Sequence, residues 1–105
     1  MHESPPLWRW SAVDLAAAIQ RRDISCVEAT QAAIDRMHAA NPRVNAVTLD
    51  LSKDAVDAAK RADAIAASGV RLGALHGVPV TIKDLAITKD MPTQNGSLIF
   101  KHFEA

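Results

Sequence analysis

The chain has 105 residues, 12 basic and 12 acidic side chains, and a formal net charge of zero. That length makes one domain at most, and the balanced, scattered charge shows neither the basic excess nor the basic stripe of a nucleic-acid binder. The single cysteine, Cys26, rules out an intrachain disulfide, and no apolar run approaches the ~18 residues of a membrane span, so a soluble, cytoplasmic protein is expected.

Residues 1–10 form an N-terminal arm with two prolines and two tryptophans and without the basic and apolar regions of a signal peptide. Ser11 stands three places before Asp14, a variant of the capping box, and predicts a helix over about 11–21. Trp10 and Leu15 have the spacing of a hydrophobic staple, Leu15 and Ile19 share a face, and Trp8 is expected to anchor the arm. Ser25 and Glu28 make a second capping box. Behind it, Val27, Thr30, Ile34 and Met37 recur at threes and fours as an amphipathic stripe. Asn41-Pro42 is expected to end this helix, because a residue before proline is pushed out of the helical region.

The run Val44 to Leu49 is short, rich in β-branched residues and loosely alternating, and reads as a strand or extended segment. Ser52 is expected to cap a third helix reaching about Ala67. Ala55, Ala59, Ala62 and Ala66 give that helix a thin face suited to close packing, widened by Val56 and Ile65. Ser68-Gly69 ends it, with Gly69 in the left-handed position. From Val70 the texture changes. Gly73, Gly77, Pro79, Pro92 and Gly96 punctuate the chain, Val78, Val80 and Ile82 alternate as a strand over 78–83, and Leu85 to Thr88 reads as a second extended piece.

The organisation expected is therefore an arm at 1–10, a helical segment at 11–69 with one short strand, and the opening of an α/β core at 70–105. The fold class is α/β, with helices and the first strands of a mixed sheet. Taken alone the chain reads as incomplete, since a sheet of one or two strands leaves edges that need partners.

The segment Leu75-His76-Gly77-Val78-Pro79-Val80-Thr81-Ile82-Lys83-Asp84, followed by Met91-Pro92-Thr93-Gln94-Asn95-Gly96-Ser97, resembles the first conserved block of the amidase signature family. Ser25-Cys26-Val27-Glu28 opening a helix, then Asn41 to Val47, then an Ala/Asp helix, resembles that family's N-terminal order, so the likeness runs from about Leu7 to Ser97. The resemblance implies an enzyme that cleaves carboxylic amides with a lysine, a bridging serine in a cis peptide and a nucleophilic serine. By position, Lys83 is that lysine. Its amine must be neutral to accept a proton from a serine relay. An exposed lysine, with a pKa near ~10.4, is a poor base at neutral pH, and burial lowers that value. Alternation puts Lys83 beside Thr81 on the face opposite Val78, Val80 and Ile82, so its burial depends on layers covering the strand on both sides.

The resemblance also implies what these residues lack. The family's serines and oxyanion-hole backbone come from a Gly/Ser-rich stretch downstream. This chain has four glycines, none adjacent, and no such run. Ser97 matches the end of the first block and not the nucleophile, and Thr88-Lys89-Asp90 lacks the glycine often found before Met91-Pro92. The isolated chain is expected to be inactive. Asp84 reads as a structural carboxylate, His76 as a turn residue without an acid partner, and Thr93 to Ser97 as a turn-rich loop. Cys26, in the first turn of a helix whose dipole favours the thiolate, reads as a small packed residue.

Three readings are open: an amidase of which this is the N-terminal piece, a non-catalytic relic or helical interaction module, and a piece complemented by a second polypeptide. A homo-oligomer would also cover the open edges. The substrate implied is a small-molecule or peptide-like amide, with aliphatic, aryl and tRNA-linked amides all open. No cofactor is expected, and four scattered histidines with one cysteine lack metal-ligand spacing.

Overall fold

The computed structural model of the chain describes residues 5–47 and 49–82. A 3-10 turn at Leu7–Arg9 leads into three helices, α1 at Ala12–Gln20, α2 at Cys26–Val44 and α3 at Ser52–Ala67. The first two begin where their caps place them. The Ser11 hydroxyl accepts the Asp14 amide at 3.1 Å. At α2 the capping box is reciprocal: the Ser25 hydroxyl accepts the Glu28 amide at 2.9 Å and the Glu28 carboxylate accepts the Ser25 amide at 3.1 Å.

α1 ends in a Schellman motif. The Asp23 amide reaches back to the Ala18 carbonyl and the Arg22 amide to that of Ile19, at 2.9 and 3.0 Å. Arg22 occupies the left-handed position usually given to glycine, at φ 65°. α3 ends with Gly69 at φ 83°, as expected.

Two helix boundaries differ from expectation. α2 continues through Pro42 to Val44. Proline only removes one amide in the last turn, and the Asn45 amide still closes onto the Asn41 carbonyl at 2.6 Å. Asn41 then holds the departing chain: its amide nitrogen donates to the Val47 carbonyl at 3.0 Å and its side-chain oxygen accepts the Val47 amide at 2.8 Å. At α3, Ser52 is the first helical residue rather than the cap. The Asp50 carboxylate accepts both the Ser52 amide, at 2.9 Å, and the Ser52 hydroxyl. Its other oxygen meets His38 Nε2 at 2.8 Å. Ser52 in the cap would forgo both the charge-assisted bond and the tie to α2.

The expected strands are not seen among the described residues. Val44 belongs to α2, residues 45–47 and 49 are irregular, and residues 78–82 run without strand pairing. A strand exists by virtue of a neighbour that accepts its ladder, and among the described residues none lies beside either segment. The pieces at 83 and 85–88 lie outside the described residues.

α2 packs on α3, and the 3-10 turn on α2. Leu15 and Ile19 of α1, Cys26 and Ala29 of α2 and Ala59 of α3 form the core, with Trp10, Val27, Ala62 and Val78 packed around it. Ala59 is buried and its neighbours on the alanine face are half-buried, so α3 approaches closely through small side chains. Trp10 packs on the cluster containing Leu15, as a staple would, and its indole N–H donates to the Pro5 carbonyl at 2.8 Å. Trp8 anchors the arm differently, with its ring under the Arg36 guanidinium at 4.4 Å.

Candidate functional site

Lys83, Asp84 and the loop from Thr93 to Ser97 lie outside the described residues. The structure does describe the chain that runs into Lys83 and the surface on which it is seated. Residues 74–77 form a turn, with the His76 amide on the Gly73 carbonyl at 3.2 Å and the Val78 amide on that of Leu75 at 3.1 Å. Gly77 is the third residue of the latter turn, with φ 82°, the position a type II turn gives to glycine. A second demand falls on the same residue: a Cβ there would sit 2.5 Å from the Cys26 sulfur and 3.1 Å from Ile19 Cδ1. Gly77 thus lays its backbone directly on the start of α2.

Three side chains surround this contact. The Cys26 thiol lies under it, fully buried. His76 reaches across to α3, where its Nε2–H donates to the Ala62 carbonyl at 2.8 Å. The next residue of α3, Asp63, turns its carboxylate to the N-terminus of α2, accepting the Cys26 amide at 2.7 Å and the Val27 amide at 3.2 Å. The first turn of α2 is therefore capped twice, from the adjoining residue Ser25 and from another helix by Asp63.

The electrostatics reflect this arrangement. Burial works against ionisation of Asp63, but the amides of Cys26 and Val27, the Cys26 thiol and the Arg22 charge outweigh it and hold the carboxyl below its ordinary value. Cys26 moves the other way. Burial first, then its hydrogen bond to Asp63 and that carboxylate's negative charge, push the thiol up to about 11. The favourable helix amide does not offset them. A protonated, enclosed thiol is neither a nucleophile nor a metal ligand at neutral pH. The packed-residue reading of Cys26 holds, as does the turn reading of His76.

Past Pro79 the chain leaves this support. Val78 packs on the core and Pro79 is half-buried, whereas Val80 and Ile82 are 74% and 54% exposed. Beside the cluster, a groove of about 500 Å³ is lined by Arg22, Asp23, Ser25, Glu28 and Asp63 among others. Its carboxylates are engaged in caps or ion pairs. Among the described residues no three His, Cys, Asp or Glu gather as metal ligands, and no helix is long and apolar enough to cross a membrane. What the described cluster does is hold a peptide segment; its polar groups are spent on one another.

Sequence reasoning passed over Asp63. The available signal was a carboxylate one place from Ala62 and within a turn of Ala59 and Ala66, on the face that packs. A charge there calls for a partner across the interface.

The profile of the amidase family matches residues 28–105. Over 91 residues the chain is 55% identical to the indoleacetamide hydrolase of Bradyrhizobium diazoefficiens, a match covering 87% of this chain and 17% of that protein. It is 44% identical over 95 residues to a glutamyl-tRNA(Gln) amidotransferase subunit of Acidothermus cellulolyticus, covering 90% of this chain and 19% of that one. The corresponding subunit of Thermobifida fusca is 40% identical over 99 residues, 94% of this chain and 20% of its own length. The chain thus spans about a fifth or less of the length of these relatives.

Proposed function

Because this chain belongs to the amidase family, we propose that it is the N-terminal portion of an enzyme cleaving carboxylic amide C–N bonds, with Lys83 as the base of a serine, cis-serine, lysine mechanism. The observation that supports this most is where the likeness falls. A 91-residue match in a chain of 105 residues necessarily includes positions 15–91, and with them the whole run into Lys83. In this reading the neutral Lys83 amine takes a proton from the bridging serine, which takes one from the nucleophile; both serines lie outside these 105 residues. Water completes the reaction, giving acid and amine. Residues 70–105 open the catalytic core, and strand 78–83 forms when a neighbouring strand accepts its ladder. A reducing cytoplasmic setting suits the single buried thiol.

Identity is greater to the indoleacetamide hydrolase than to the amidotransferase subunits, 55% against 40–45%. That favours a small-molecule amide over a tRNA-linked one. The test is a chimera in which this chain replaces the matched stretch of the Bradyrhizobium hydrolase. It is expected to turn over indoleacetamide and to lose on the order of 10³-fold or more in kcat on Lys83→Ala. A folded chimera whose turnover survives Lys83→Ala overturns the assignment. The isolated chain is expected to release no ammonia from simple amides, because nucleophile and oxyanion donors supply most of such a rate. Ammonia release by the pure chain that Lys83→Ala abolishes would contradict this.

A further inference from the structure

We propose that Asp63 and His76 are positioning residues for Lys83: together they form a clamp on α3 that sets where the chain enters the catalytic strand. The inference rests on the assignment of Lys83 just given, and goes beyond it by assigning a task to two residues outside the motif's catalytic position. Adjacent residues of α3 hold both sides of the Gly77 contact. Ala62 receives His76, which precedes Gly77, at 2.8 Å. Asp63 receives the amide of Cys26, on whose sulfur Gly77 rests, at 2.7 Å. The turn and the start of α2 are therefore referenced to one turn of one helix.

The residues after Gly77 carry that reference onward. Val78 packs on the core, and a residue before proline is held extended. Pro79 has φ set by its ring. In sequence, Lys83 follows this stiffened exit by four residues. Both clamp contacts have a direction. The Ala62 carbonyl only accepts, so His76 must carry a proton on Nε2. The two α2 amides only donate, so Asp63 serves them best as the carboxylate.

The first measurement uses the chain itself. Amide hydrogen exchange of His76 and Val78, whose N–H groups bond the Gly73 and Leu75 carbonyls, is expected to speed up on the order of tenfold in Asp63→Asn and in His76→Ala, with the α1 amides unchanged. His76→Gln, which retains a side-chain N–H donor, is expected to restore most of the protection. Unchanged exchange in folded Asp63→Asn and His76→Ala chains overturns the clamp.

The second measurement uses the chimera. There the two clamp variants are expected to lower kcat roughly ten- to a hundredfold with KM little changed, and to move the limb of the kcat–pH profile that reports Lys83. His76→Gln recovers both. If Lys83→Ala abolishes turnover while the folded clamp variants keep kcat and profile, the clamp is wrong and the lysine assignment stands. If Lys83→Ala leaves turnover intact, the assignment itself fails, and the clamp's role in positioning a catalytic base fails with it.

Discussion

Gly77 shows how much can rest on the absence of one side chain. It has a positive φ of 82°, and its α-carbon faces the Cys26 sulfur at a distance that leaves no room for a Cβ. Gly77→Ala is expected to cost about 2–4 kcal/mol, combining backbone strain with overpacking. Thermal or denaturant unfolding measures it. Cys26→Ala removes the obstructing sulfur but not the strain. The double variant is therefore expected to be less destabilised than the sum of the singles, by about 0.5–2 kcal/mol. Strict additivity would mean that the contact is relieved some other way. The motif reading identified Gly77 as part of a conserved block, and the turn signal was local. Its second reason, the sulfur beneath it, was not legible, because nothing in the spacing of residues 26 and 77 brings them together.

At the scale of elements, the helix starts and stops divide by the range of the contacts that make them. Ser25 and Glu28 are three residues apart and their capping box was readable. The end of α1 is also local, yet Arg22 at φ 65° departs from the residue the position prefers. Arg22→Gly is expected to stabilise the chain by about 0.5–1 kcal/mol through the relief of that conformation. The long 3.4 Å bond from Arg22 Nη1 to the Ala66 carbonyl, and its charge near Asp63, set against it. A loss of stability in a melt of Arg22→Gly would show that those contacts outweigh the strain. α2 overran its expected end because Asn41 ties down Val47, six residues on, and α3 began one place early because the Asp50 carboxylate takes the Ser52 amide and is itself held by His38. Proline and serine preferences are averages over contexts, and here a neighbouring side chain decided.

At the scale of the whole chain, stability depends on groups whose ionisation is tied to folding. Asp63 and Asp50 are depressed in the folded state, Asp50 to about 2 by Ser52 and His38. Their contribution is present above the unfolded carboxylate range, near pH ~4, and is lost as pH falls through the lower folded values. Cys26 is raised, from 9.0 to about 11. Its contribution is complete below pH 9.0 and is lost as pH climbs toward about 11, where the unfolded thiol ionises first. Denaturant unfolding across pH is expected to show a plateau with both edges. Cys26→Ala flattens the alkaline edge and Asp63→Asn reduces the acid one. An alkaline edge unchanged in Cys26→Ala would assign it elsewhere. The described core is slight, with Leu15, Ile19 and Ile34 its only large buried aliphatic side chains among the described residues. Ile19→Ala, at about 2–5 kcal/mol, is expected to unfold much of the population, visible as loss of the cooperative melt.

By itself the sequence determined the family, the three helices and the position of the candidate base, because those depend on residue order and on spacings within a turn or two. Only the tertiary structure decided that the run into Lys83 is seated on Cys26, that Asp63 caps a helix 37 residues away in sequence, and that the thiol is silenced rather than activated. The physical reason is range. Caps and periodicity act over three or four residues, whereas burial, interhelix hydrogen bonds and the charge felt by a thiol belong to whichever segments the packing brings together.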